Sequence, residues 1–88
     1  MSMHTVYYLV HGSNRTRLKW YRTLAGARIA QRLRNSHLGF TARIARTYTQ
    51  DNWEVELCLD SDNNTVAATY CIVEDTIEAN LEMLLDQN

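Results

Sequence analysis

The apolar positions of this chain fall into short runs whose spacing changes from one segment to the next. Thr5–Val10 is rich in β-branched and aromatic residues, and His11-Gly12-Ser13-Asn14 separates it from a second β-prone run, Arg17–Arg22. Turn chemistry between two such runs predicts a β-hairpin. Alternation along the second run puts Leu18 and Trp20 on one face and Arg17, Lys19 and Tyr21 on the other, so a half-buried strand with a basic outer side is expected. After Thr23 the spacing lengthens: Ala25 or Gly26, Ile29, Ala30 and Leu33 recur three and four residues apart. This predicts a helix from about Leu24 to Ser36, capped by Thr23, with Ile29 and Leu33 facing the core. Gly39 falls where a left-handed terminating residue is expected, and Leu38 and Phe40 are placed to pack back.

Thr41–Tyr48 and Trp53–Asp60 then predict a second hairpin, joined by Thr49-Gln50-Asp51-Asn52. Its inner face is expected to hold Ile44, Tyr48, Trp53, Val55, Leu57 and Leu59, with Tyr48 opposite Trp53 and Ile44 opposite Leu57. The polar stretch Ser61-Asp62-Asn63-Asn64 turns the chain into a last strand, Thr65–Ile72. Asp75 and Glu78 have capping-box spacing, and Val73, Ile77, Leu81, Leu84 and Leu85 make the stripe of a C-terminal helix. The resulting order, ββαβββα, describes one α+β domain over residues 1–88. An antiparallel or mixed sheet of about five strands carries both helices on one face. Ile44, Trp53, Leu57, Leu33 and Ile77 are the expected core.

Length and composition agree with a single folded unit. Eighty-eight residues can enclose one core, and 45% hydrophobic content with five Tyr and two Trp supplies the surface for it. No apolar run approaches the roughly 18 to 20 residues of a membrane span, and Met1–Val10 lacks the pattern of a secretory leader, so no membrane partner and a cytoplasmic location are expected. Cys58 and Cys71, the only cysteines, are then expected as free thiols; on the proposed register Cys58 lies opposite Ala67.

Charge changes the picture most. All nine Lys and Arg lie between Arg15 and Arg46, and all ten Asp and Glu between Asp51 and Asp86, a segregation hidden by the net charge of −1. Neighbouring strands from the two halves could neutralise each other, as with Arg43 diagonal to Glu56. Alternatively Arg15, Arg17, Lys19 and Arg22 with Arg28 and Arg32 form a phosphate-binding surface on which Trp20 or Tyr21 stacks a base. No signature of a nucleic-acid-binding family accompanies them, and the pI of about 6.3 is low for such a module. Glu78, Glu82 and Asp86, four residues apart, would line one exposed stripe of the C-terminal helix and dock on a basic surface.

Nothing in the spacing points to catalysis or a cofactor. His4, His11 and His37 make no metal-ligand pattern with the cysteines, Asp60-Ser61-Asp62-Asn63-Asn64 lacks the glycine and closing glutamate of a calcium loop, and Gly12 and Gly26 stand alone. Both cysteines fall in expected strands, where a nucleophilic role is disfavoured.

The segment Tyr21-Arg22-Thr23-Leu24-Ala25-Gly26-Ala27-Arg28-Ile29-Ala30, after an N-terminal hairpin, resembles small accessory proteins of tailed bacteriophages, in which a Thr/Ser-Leu-x-x-Ala helix start precedes further strands. Small anti-CRISPR proteins that inhibit type I surveillance complexes share similar layouts. The likeness covers about the first two-thirds of the chain and excludes the acidic C-terminal helix. It implies a non-enzymatic protein that inhibits or modulates a macromolecule of an infected bacterial host by stoichiometric binding. The partner is then a host protein or protein–nucleic-acid complex. A nucleic-acid-binding module using the basic hairpin–helix region is the alternative, and a self-associating protein, in which basic and acidic halves of neighbouring copies meet, is a third reading.

Overall fold

The structure, a computed structural model, describes residues 2–38, 43–66 and 68–79. Strands β1 (Ser2–His11), β2 (Arg17–Tyr21), β3 (Arg43–Gln50), β4 (Trp53–Leu59) and β5 (Tyr70–Ala79) form one antiparallel sheet, with helix α1 (Leu24–Ser36) between β2 and β3 in the chain. The strand order across the sheet is β2-β1-β5-β4-β3. This is a small α+β fold with one helix among the described residues.

The helix boundaries match the expected ones, because Thr23 takes extended backbone and its hydroxyl accepts from the Gly26 N–H, satisfying a first-turn donor. Its orientation does not match. Ala27, Gln31 and Asn35 are buried, whereas Ile29 and Leu33 are 65% and 56% exposed. Ile29 is two residues from both Ala27 and Gln31, about 200° round the helix, so it points directly away from the sheet. The apolar stripe lost to a polar one because the sheet offers unpaired main-chain groups. The β4–β5 ladder contains only Trp53–Val73, Glu54–Ile72 and Val55–Cys71, and then the strands part.

The two helix amides fill that gap. Asn35 Nδ2 donates to the Tyr70 carbonyl at 2.9 Å, and Asn35 Oδ1 accepts from the Tyr70 N–H at 2.8 Å, as a neighbouring strand would. Gln31 Nε2 donates to the carbonyls of Glu54 and Tyr70 at 3.0 and 3.2 Å. An amide with both donor and acceptor is the side chain that can do this; a leucine would leave the Tyr70 backbone groups orphaned in the interior.

Pairing also assigns the faces of the sheet. Leu9, Ile72 and Cys58, all buried, lie on the α1 side with Glu54 and Glu56. Trp53, Val55, Leu57 and Leu59, expected as the inner face, alternate onto the opposite side and are half buried. Ile44 and Ile77 are likewise only half buried, so none of the five expected core residues is fully enclosed. The second hairpin is tighter than expected, with Gln50 opposite Trp53 around Asp51-Asn52. Asp51 takes the left-handed φ of 54° that a two-residue turn demands and that Asp tolerates. Tyr48 therefore meets Val55, and a bulge at Ala45 sets Ile44 against Cys58 and Arg46 against Leu57. Arg43 lies opposite Leu59 and bonds to Asn63, not to Glu56.

A second bulge corrects the reading of β2. Lys19 pairs with Leu9 and Arg17 with Val10, leaving Leu18 unpaired and 43% exposed and moving Arg17 to the face of Trp20. The chain's end differs more. Thr65 makes an isolated bridge to Leu59, the last strand begins only at Tyr70, and it runs on through Asp75–Glu78, where a helix start was expected. Its outer residues pair with Ser2–Thr5 of β1, which supplied hydrogen-bond partners that local capping could not match. Asp75 accepts from the Thr76 N–H and pairs with Arg17 in place of capping a helix. The rest of that expected helix, Leu81, Glu82, Leu84, Leu85 and Asp86, and the expected Gly39 terminator lie outside the described residues, as does Ala67.

Candidate functional site

Among the described residues, the side of the sheet away from α1 carries no helix. Its middle is a row of half-buried aromatic and aliphatic side chains: Tyr8 pairs with Trp20 and Val73, and Val73 with Trp53. Val6, fully buried, packs beneath Tyr8, Trp20 and Ile77. The arginines on this face lie over rings: Arg17 4.1 Å from the Tyr8 centroid, Arg15 5.1 Å from Trp53 and Arg46 5.2 Å from Tyr48. Guanidinium stacking orders the long side chains against the surface while leaving their donors outward.

A recess of about 320 Å³ opens on the same side, walled by Trp53, Arg15, Gln50 and Asp51 and floored by Val55 and Cys71. Its rear depends on Gly12. The Gly12 N–H donates to the Thr69 carbonyl at 2.8 Å, and a Cβ there would meet that oxygen at 2.7 Å. The turn before β2 is thus held against the β4–β5 connection, with Arg15 in the left-handed region at φ 57° so that its side chain reaches Trp53.

The residues expected to form one basic surface are divided. Arg15, Arg17 and Trp20 share the helix-free side, but Arg17 is paired with Asp75 at 3.0 Å. Lys19 and Tyr21 turn to the α1 side, where the Lys19 ammonium lies 5.5 Å from the Tyr21 ring, and Arg22 is exposed beyond the end of β2. Arg28 and Arg32 are ion-paired with β4: Arg28 to Glu54, with N–O distances of 2.5 and 2.7 Å, and Arg32 to Glu56 at 3.3 Å. The Glu54 carboxylate raises the Arg28 pKa further through its hydrogen bonds. Charges from the two halves of the chain therefore do meet, through helix and sheet, in pairs other than the expected Arg43–Glu56. Of the expected acidic stripe, Glu78 is exposed on β5, and Glu82 and Asp86 lie outside the described residues.

Sequence reasoning missed Gln31 and Asn35, and it set Glu56 against Arg43 where the structure gives it Arg32 and Asn35. Glu56 is only 2% exposed, and its carboxylate accepts from Asn35 Nδ2 at 3.0 Å and from Arg32. The available signal was Arg28-x-x-Gln31-Arg32-x-x-Asn35, a polar stripe at helical spacing opposite the alternating Glu54 and Glu56.

On the α1 side a cleft of about 600 Å³ separates the helix from β3, bordered by Ile29, Leu33, Arg28, Arg32, Thr47 and Thr49. Cys58 and Cys71 are free and buried, and burial pushes both thiols above their ordinary pKa. No group of three or more metal-ligating side chains occurs among the described residues, and no helix there is long and apolar enough to cross a membrane. No family model matches the chain, and neither a curated protein nor a solved structure shows significant similarity to it.

Proposed function

We propose that this chain is a non-enzymatic binding domain that docks on another protein through the helix-free face of its sheet. The observation that carries the reading is the composition of that face. Tyr8, Trp20 and Trp53 with stacked Arg15 and Arg17 are the residue types that dominate interface energetics, gathered on one sheet face beside a recess that Arg15 and Trp53 line. The two thiols support a role without covalent chemistry, since a raised pKa is the opposite of what a nucleophilic cysteine requires. The likeness to phage accessory proteins adds that the partner is a host macromolecule, inhibited or modulated by stoichiometric binding.

A second reading is favoured by one specific observation, the coincidence of aromatic rings with Arg15, Arg17 and Arg46 on an open sheet, which suits stacking of unpaired bases. Trp20→Ala and Trp53→Ala variants, with Ile29→Ser as a control on the far side, separate the readings. Protein docking predicts that a partner saturably retained from host lysate by the parent is lost by both tryptophan variants and kept by Ile29→Ser. Base stacking predicts instead that a labelled single strand of about 12 nucleotides binds, with affinity falling steeply as salt rises. Retention of the same partner by all three variants would refute the assignment of this face.

A further inference from the structure

We propose that copies of this chain add edge to edge, the outer strand β3 of one pairing with the projecting end of β5 of the next. The inference does not depend on the helix-free face.

Strand β3 pairs with β4 and with no other strand among the described residues, so the main-chain groups of its second edge have no strand partner there. Seven of its eight residues are exposed, and it carries Arg43 and Arg46 without an acidic residue. Such an edge is a template for another strand unless a charge or bulge blocks it. The bulge at Ala45 interrupts only its first part, leaving Arg46–Gln50 regular.

The complementary edge is on β5. Its ladder with β4 ends at Val73, while its ladder with β1 continues to Ala79. The end of β5 thus projects with β1 as a two-stranded ribbon, in a molecule 49 Å long and only 24 by 21 Å across. Asn52 closes the first position, donating to the Glu74 carbonyl and accepting from its N–H, each at 2.9 Å. From Thr76 onward that edge meets no strand among the described residues, and the Thr76 N–H, bonded to Asp75 Oδ1 in the single chain, exchanges that bond for one to the incoming strand. The segment Glu74–Ala79 carries Glu74, Asp75 and Glu78 and no cation.

Charge selects the pairing. Two β3 edges together would juxtapose arginines and two β5 edges carboxylates, and like charges across a ladder are unfavourable. The start of β1 and the outer edge of β2 are also without a strand partner among the described residues, and neither has a carboxylate to offer. Strand β2 is cationic, but it is five residues long, the bulge at Leu18 interrupts it, and its Arg17 is already paired with Asp75. Of the cationic edges, β3 has the longer regular stretch, so β3 with β5 is the pairing that brings opposite signs together along an uninterrupted ladder. Side chains alternate along a strand, so the arrangement that turns Glu74 and Glu78 to the side of Arg43 and Arg46 turns Asp75 and Ile77 to the other. On that other side is the cleft with exposed Ile29 and Leu33 for Ile77. The segregation of cations before Arg46 and anions after Asp51 then acts between copies as well as within one. Because the two edges differ, the contact is head to tail and propagates into open chains unless rotation closes a ring.

The test is sedimentation velocity of the parent and three variants in about 50 mM and about 500 mM salt, since exposed charge pairs are screened at the higher value. At low salt the parent's weight-average mass should rise with concentration well above 10.2 kDa, and it should fall back toward that value at high salt. Arg43→Glu with Arg46→Glu should be monomeric, and so should Glu74→Lys with Glu78→Lys. In an equimolar mixture of these two variants the unaltered edges match, and the reversed edges match as well with their signs exchanged, so association should reappear and again grow beyond a dimer. Thr76→Pro, which deletes a main-chain donor without changing charge, should also weaken association. Circular dichroism melts confirm that each variant is folded. A parent that stays at monomer mass at every concentration in low salt overturns the proposal, as does a mixture of the two charge-reversed variants that stays monomeric or a folded Thr76→Pro that associates like the parent.

Discussion

Replacing Asn35 with alanine tests the central feature of the fold, a helix that meets its sheet through amides and not through an apolar stripe. Asn35 is fully buried, and its side chain makes three hydrogen bonds, two with the Tyr70 backbone and one with Glu56. Alanine leaves the Tyr70 N–H without its partner, at a cost of about 1–3 kcal/mol for a buried orphan, and removes a bond to an ionised carboxylate worth about 1.5–3 kcal/mol. The Tyr70 carbonyl keeps Gln31, and Glu56 keeps Arg32, so these losses are not compounded further. The expected destabilisation is about 3–5 kcal/mol, a large share of the roughly 5–15 kcal/mol typical of a whole domain. Urea denaturation measures it, with Leu33→Ala as the comparison. Leu33, two residues away and largely exposed, should cost less than about 1 kcal/mol. If Leu33→Ala cost more than about 2 kcal/mol while Asn35→Ala cost less than 1, the helix would be turned the other way and the amide account would be wrong.

Three further outcomes follow from other parts of the molecule. Gly12→Ala should destabilise by about 1–3 kcal/mol in a thermal melt, because its Cβ would press on the Thr69 carbonyl and open the rear of the recess. Leu57→Ala, half buried on the helix-free face, should cost about 1–2 kcal/mol by denaturant titration, less than for an enclosed leucine. Cys58 and Cys71 should react slowly with a thiol reagent in the native protein and rapidly in urea. Their raised pKa values also imply stability that is complete below the unfolded-state thiol pKa of roughly 8.5 and is lost as pH rises through the folded values; an alkaline series of melts should show that fall.

The parts legible in the sequence were those decided locally. Thr23 and the residues after it define the helix within one turn of chain, and the β-branched runs with their turn residues place four of the strands. Orientation was not legible, because Ile29 and Leu33 satisfy a helical period as well as Gln31 and Asn35 do, and the choice between them depends on unpaired backbone at Glu54 and Tyr70, distant in sequence. The same inversion moved Trp53, Val55 and Leu57 to the outer face once Glu54 and Glu56 were drawn toward Arg28 and Arg32. Bulges at Leu18 and Ala45 shifted faces by one residue, and nothing in the hydrophobic pattern marks either. At Asp75 a local capping signal lost to pairing with the distant N-terminus. Of the candidate site, the aromatic and basic residue types were visible, while their division between two faces was set by those bulges and ion pairs.

The parting of β4 from β5 has a dynamic consequence. Three ladder pairs and two hydrogen bonds between Asn52 and Glu74 join the β3–β4 hairpin to β5, and the side chains of Arg28, Gln31, Arg32 and Asn35 tie it to α1, whereas ten ladder pairs join β1 to β5. Protection against hydrogen exchange should accordingly fall into two tiers, with β1 and β5 opening only on global unfolding and β3 and β4 exchanging through a smaller, lower-energy event. The amides of Gln31 and Asn35 are the latch of that event: when they release, Tyr70 and Glu54 become solvated together, and the hairpin swings as one body while the β1–β5 ribbon stays folded.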